Sequence, residues 1–273
     1  MNLVYCAQFR DQTGYGVAAR GYLKSLDHYV RNTKGVSLKI YSSIASESNS
    51  LSQEEKSLIE KYEFIKLMRA SNRNISLVAW ETDKVPAEWV ENYEHFNTSM
   101  IITPCKWNRD TFSKTGIDCR IVPHLIENIS KKSKPIPNIP ESMLKDKFVI
   151  FTSSQWTHRK GFDVLLKSFF AEFGQNEDVL LVLKTYDSAT HNTERIKAEI
   201  SYYKGSTFFE FNKAIKGNNI LVLPGFLSSE NVAWLYEQSS VFALTSRGEG
   251  FSLPISEALM NKKPVVVPKS GGH

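Results

Sequence analysis

The sequence predicts an α/β fold of two doubly wound domains facing a cleft, the second of them incomplete. Three observations predict it. Short β-rich apolar runs alternate with amphipathic helical runs along the chain, the pattern of parallel strands joined by helical crossovers. Most of these strands are apolar on both faces, which calls for a sheet covered on both sides. One stretch, residues 127–147, breaks the rhythm before it restarts. At 273 residues the chain has the length of about two domains, which gives a first domain over 1–126, a linker or crossover over 127–147 and a second domain over 148–273.

The first half opens with the strand NLVYCA and the helix GVAARGYLKSLDHYV, followed by the strand VSLKIYS. The helix in SQEEKSLIEKYEFI starts with Ser52-x-x-Glu55, a capping box. The strands ISLVAWE and SMIITPC flank a helix opened by Pro86, and KWNRDTFSKTG is a short helix with Gly116 as its stop. CRIVPHLI closes this half, with His124 read as structural. The next stretch, ENISKKSKPIPNIPESMLKDK, has three prolines, four lysines before Asp146 and no apolar period. Then come FVIFTSS, GFDVLLKSFFAEF, VLLVLKTY, TERIKAEISYYK, NILVLPGF, SSENVAWLYEQSS, VFALTS, LPISEALMN and PVVVPKS, strand and helix in turn. Residues 205–218 give no clear pattern. The last strand, Val265 to Val267, has no following helix to cover it, so the domain reads as cut short.

Composition narrows the function. Hydrophobic residues at 41% and aromatics at 12% supply real cores. A net charge of +5 permits a phosphate-bearing ligand without indicating nucleic acid. Cys6, Cys105 and Cys119 have neither paired nor C-x-x-C spacing, which points to reduced thiols and away from metal ligation. The N-terminus reads as a buried strand instead of a signal peptide, and no run reaches the ~20 apolar residues of a membrane span. A soluble, cytoplasmic protein is expected, and the sequons at Asn74, Asn97 and Asn128 are then fortuitous.

Three loops carry candidate chemistry. Gly14-x-Gly16-x-x-Ala19 follows a strand and opens a helix, the setting of a dinucleotide fingerprint. The acidic residue such a site wants after the second strand is absent, and a plain strand-to-helix turn is the alternative. QWTHRKGF sets His158, Arg159 and Lys160 between a strand and a helix, an anion site or a solvated basic turn. TSRGEGFSLPISEALM places Glu249 in a glycine turn and Glu257 one turn into the next helix. The backbone N–H groups of Phe251, Ser252 and Leu253 at that helix start suit a diphosphate. The carboxylates suit hydroxyls, Glu257 a ribose diol and Glu249 a sugar; both acids serving only the helix dipole is the bland alternative.

EGFSLPISEA matches the E-x7-E signature of retaining GT-B glycosyltransferases and particularly resembles the large family 4. FTSSQWTHRKGFDVLLKSFFAEF and VLPGFLSSENVAWLYEQSSVFALTSRGEGFSLPISEALMNKKPVVV resemble the donor domain of that family. VAWETDKVPAEWV and ITPCKWNRDTFSKTGI resemble acceptor-domain segments of one subgroup. The resemblance implies two Rossmann-like domains and a nucleotide-sugar donor, UDP- or GDP-linked, with no separate cofactor and no metal. It implies base and ribose near Phe226 and Glu257, Arg159 and Lys160 at the diphosphate, and Gly14 and Gly16 closing over it. It sets Glu249 at the sugar, with the backbone of Gly250, Phe251, Ser252 and Leu253 at sugar and phosphate. Glu81 and Asp83 in ETD are weaker acceptor-side candidates. Many members carry an arginine five residues before the lysine; here that position is Gln155, and Arg159 is the substitute. The acceptor, whether a glycan, a lipid-linked or a small molecule, is left open, as is peripheral membrane contact. Three rivals remain: a nucleotide-sugar-binding protein without turnover, a hydrolase using paired carboxylates, and an NAD-type oxidoreductase.

Overall fold

Alternating apolar strands and amphipathic helices force the chain into layers, because each strand can hide its side chains only against a helix. A computed structural model describes residues 1–9, 14–42, 51–62, 74–126, 133–137, 139–187, 193–211 and 219–273. The chain divides into two compact units, one of residues 1–78, 85–105 and 109–126, the other of 79–84, 106–108 and 127–273. The expected linker falls in part outside the described residues. Its described part packs within the second unit: Ile136 and Leu144 are core residues, and Lys134 pairs with Glu230 at 2.9 Å.

In the first unit β1 (Asn2–Ala7) pairs in parallel with β2 (Ser37–Ser42), joined through α1 (Gly14–Asn32). Ser52 caps α2 (Gln53–Glu60), and the capping box read from the sequence is present in both directions. Tyr5, Phe9, Leu23, Ile40 and Ile59 bury the core of this part. Further on, β3 (Asn74–Leu77), β4 (Thr98–Thr103) and β5 (Cys119–Ile121) form a parallel group, with α3 (Ala87–His95) and α4 (Lys106–Phe112) between them. Gly116 ends the short helical turn after α4 with φ +82°. His124 shares a hydrogen bond of 3.0 Å with the Tyr22 hydroxyl, and burial lowers its pKa to about 4, so it is a neutral structural group. The expected double covering of these strands is incomplete among the described residues, since Val4, Ile75 and Leu77 stay exposed.

The second unit is one five-stranded parallel sheet in the order β10-β9-β6-β7-β8. Its strands are β6 (Phe148–Gln155), β7 (Val179–Tyr186), β8 (Ile220–Pro224), β9 (Val241–Ala243) and β10 (Val265–Val266). Side chains alternate along each strand. Val149, Phe151, Leu180 and Val182 therefore point to one face, where they meet α7 (Ser229–Gln238) and α8 (Leu253–Met260). Leu181 and Leu183 point to the other, against α5 (Phe162–Phe173) and α6 (Thr193–Phe211). β10 is a sheet edge: Val265 and Val267 pack against the core, while Val266 between them is 59% exposed. No helix among the described residues is long and apolar enough to cross a membrane.

Candidate functional site

The strand order of the second unit fixes where a ligand belongs. The chain runs from β6 outward through β7 to β8, then returns to the other side of β6 to lay down β9 and β10. The loops leaving β6 and β9 thus part in opposite directions, and such a switch point leaves a crevice at the carboxyl ends of the strands. The basic turn, residues 158–160, follows β6, and the loop with Glu249 follows β9.

The two loops are locked together by backbone contacts. Arg247 N–H donates to the Arg159 carbonyl at 2.7 Å, and Thr245 Oγ1 donates to the Gly161 carbonyl at 2.8 Å. Gly161 has φ +68°, and a Cβ there would stand 2.1 Å from the Thr245 oxygen. Only glycine fits. The glycine turn around Glu249 is similarly close-packed. A Cβ on Gly248 would meet the Glu81 carbonyl oxygen at 2.5 Å, and one on Gly250 the backbone of Ala79 and Trp80 at 2.9 Å. Asn108, fully buried, fixes that neighbouring segment by accepting from Trp80 N–H at 2.9 Å and donating to Trp80 O at 2.6 Å.

Cations and carboxylates converge at this junction. Lys160 Nζ lies 2.5 Å from Glu249 Oε1, and Arg159 Nη1 lies 3.8 Å from the same oxygen. Arg159 also donates to the Gly248 carbonyl at 2.6 Å and pairs through Nη2 with Glu81 Oε1 at 2.9 Å. Glu249 is only 5% exposed, and among the described residues its Oε2 accepts no hydrogen bond. Burial holds the Glu81 carboxyl above the usual range and Glu249 adds to this, while Arg159 and Lys160 oppose it. Arg247 stands outside the cluster, bidentate to Asp163 at 2.9 and 2.7 Å.

Helix α8 points its N-terminus here. Its cap, Ser252, has φ 68° and ψ 81°, a left-handed conformation costing a non-glycine residue about 1–2 kcal/mol. Among the described residues the buried Ser252 hydroxyl has no hydrogen-bond partner, nor have those of Ser154, Thr157 and Thr185 in the same unit. Such buried hydroxyls are completed in proteins by ordered water or by a bound group.

A second cluster lies further along α8. Burial raises the Glu257 carboxyl to about 7, against the opposing pull of the Tyr236 hydroxyl, 3.1 Å from Oε2, and of Lys184. Lys184 sits on β7, only 9% exposed, and burial lowers its pKa while Glu257 raises it. Its ammonium lies 5.6 Å from the ring centres of both Tyr186 and Phe226, which face each other at 4.7 Å. Lys184 escaped the sequence reading, although a lysine in the otherwise apolar run VLLVLKTY was the available signal.

Comparison with known proteins places this geometry. The family described as glycosyl transferases group 1 matches residues 136–273, just over half of the chain. The chain belongs to that family. No curated protein matches it. Among solved structures, a group 1 fold of this kind is similar to Anabaena HepE in complex with UDP and glucose, at 14% identity and a TM-score of 0.64, covering 98% of this chain and 81% of that one. It is also similar to a UDP-forming trehalose-phosphate synthase from Burkholderia xenovorans, at 12% identity and TM-score 0.57, covering 96% and 66%. A third is the N-terminal domain of a Candida albicans trehalose-6-phosphate phosphatase, at 10% identity and TM-score 0.63, covering 99% and 83%. At these identities the likeness speaks for the GT-B fold.

In this group 1 chain, Arg159, Lys160, Glu249, Gly250, Ser252 and Glu81 share one junction. Phe251 and Leu253 lead from it into α8, and Glu257 and Phe226 belong to the second cluster. Asp83 is exposed near the first cluster in sequence only. Gly14 and Gly16 lie in the first turn of α1 in the other unit, and residues 10–13 before them are outside the described residues. A cavity of about 290 Å³ lies between α5, α6 and the amino end of β8, lined by Phe170, Ile200, Asn219 and Ile220 and by none of these site residues.

Proposed function

We propose that this chain is a retaining, metal-independent glycosyltransferase of family 4 that moves a sugar from a UDP- or GDP-linked donor to an acceptor hydroxyl. The observation that carries the reading is the junction at the switch point, where Arg159, Lys160, Glu249 and the start of α8 meet. Arg159 and Lys160 would neutralise the departing diphosphate, the task a divalent ion performs elsewhere. The first N–H groups of α8 and the orphan Ser252 hydroxyl would donate to the same oxygens. Glu249 holds Lys160 with Oε1, which leaves Oε2 for a hydroxyl of the donor sugar. Glu257 would take the ribose hydroxyls. With the sugar held this way, attack on the face from which the diphosphate leaves gives retention without a covalent carboxylate intermediate. Glu81, with Asp83, would meet the acceptor. A soluble, cytoplasmic setting suits a nucleotide-linked donor.

The test is calorimetric titration of the chain with UDP, GDP, ADP and NAD, in EDTA, followed by assay of nucleotide release from UDP- and GDP-linked sugars. One nucleoside diphosphate should bind and its sugar conjugate should turn over with the chelator present. Lys160→Ala should weaken that nucleotide by about tenfold or more, the scale of a charge-assisted hydrogen bond. Preference for NAD, or turnover that requires a divalent ion, would overturn the reading; binding with no turnover would leave a nucleotide-sugar-binding protein.

A further inference from the structure

Lys184 poses a problem that the proposed reaction does not solve. It lies on the α7–α8 face of β7, in the same row as the buried Leu180 and Val182. An ammonium carries three donors, and burying one without acceptors is costly. Among the described residues Lys184 makes no hydrogen bond and no ion-pair contact, although it is only 9% exposed. Two aromatic faces at 5.6 Å are its nearest compensation. Across from it stands Glu257, whose carboxylate is engaged on the protein side by the Tyr236 hydroxyl at Oε2. Glu257 and Lys184 feel each other's charge, yet they do not close into a salt bridge. A donor-only group and an acceptor-only group held apart in this way are jointly complementary to groups that both donate and accept.

Hydroxyls are such groups. We propose that Lys184 and Glu257 together hold the vicinal diol of the donor's ribose: Glu257 accepts the two hydroxyl protons and Lys184 donates to a hydroxyl oxygen. This rests on the nucleotide-sugar reading given above and adds Lys184 as a specificity-determining residue. The half-exposed Phe226 ring, beside Tyr186, supplies the apolar surface against which the nucleoside packs. The charges act as a pair. With the diol in place, the lysine's unmet donors and the carboxylate's unmet acceptors are satisfied by one ligand; without it, each is left with a partial substitute. A ligand lacking both hydroxyls could satisfy neither.

The experiment compares UDP and GDP with their 2′,3′-dideoxy counterparts by calorimetry on the wild type, Lys184→Met and Lys184→Gln. The wild type should favour the ribo form of the nucleotide it binds by about tenfold or more, the range of a charge-assisted hydrogen bond. In Lys184→Met that preference should fall by at least about fivefold, with affinity for the dideoxy form little changed. Lys184→Gln, which keeps a donor and tolerates burial, should fall between the two and stands in if the methionine variant does not fold. Equal losses for ribo and dideoxy forms, or an unchanged preference, would overturn the role of Lys184 while leaving the donor site intact. Failure of the folded wild type to bind either nucleotide would instead overturn the nucleotide-sugar reading, and the Lys184 proposal with it.

Discussion

Replacing Glu257 with glutamine should make this protein more stable and less able to bind its donor. Burial moves the Glu257 carboxyl from an ordinary 4.5 to about 7. Between those values the folded chain keeps a proton that the unfolded chain has lost, so stability falls as pH rises through this window. Above pH 7 the full penalty applies, about 3 kcal/mol for a displacement of this size. Below 4.5 both states are protonated and the penalty vanishes. Glutamine copies the protonated acid, and its amide oxygen can still accept from Tyr236. Urea unfolding of wild type and Glu257→Gln, followed by tryptophan fluorescence at pH 5 and pH 8, measures the difference. The gap should widen in favour of the variant by about 2–3 kcal/mol between the two pH values, or about 5–10 °C in Tm for a unit of this size. Parallel pH profiles would refute the argument, because they would mean that the carboxyl is not desolvated in the folded state. The same substitution should weaken nucleoside diphosphate binding at pH 8. A side chain kept at a cost to stability fits a site shaped for its ligand.

Two further outcomes follow from the site's packing. Gly35 and Gly161 both have positive φ, +74° and +68°, but an added Cβ meets backbone only at Gly161, 2.1 Å from Thr245 O. Gly35→Ala should cost about 1–2 kcal/mol in thermal or urea unfolding, and Gly161→Ala clearly more; equal costs would show that the β6 and β9 loops are not locked as described. Glu81→Gln should free Arg159 for an incoming diphosphate and tighten UDP or GDP binding by up to about fivefold at low salt, since an exposed pair is worth at most about 1 kcal/mol. A weaker affinity would mean that Glu81 holds Arg159 in its binding pose.

Much of the fold was legible because its causes are local. The capping box at Ser52 and Glu55, the stop at Gly116 and the strand VLLVLKTY are set by residues a few positions apart, and each element formed where the sequence placed it. Boundaries were less so. ISLVAWE read as one strand, but β3 ends at Leu77, and Ala79 to Glu81 belong to the second unit, where Trp80 exchanges two hydrogen bonds with the Asn108 side chain. The helix TERIKAEISYYK runs on to Phe211, beyond the point where its apolar period faded.

By itself the sequence determined the alternation of strands and helices, the E-x7-E signature with its basic turn, and the family. These depend on spacing along the chain. Only the tertiary structure decided that Lys160 and Arg159 share one oxygen of Glu249, that Glu81 joins them, and that the glycines of the turn serve backbone contact. It alone paired Lys184 with Glu257, residues of different elements brought together by the face that strand alternation gives to one and helix packing to the other. Burial sets the free energy of a charge, and burial is a property of what surrounds a residue, which its neighbours in sequence do not specify.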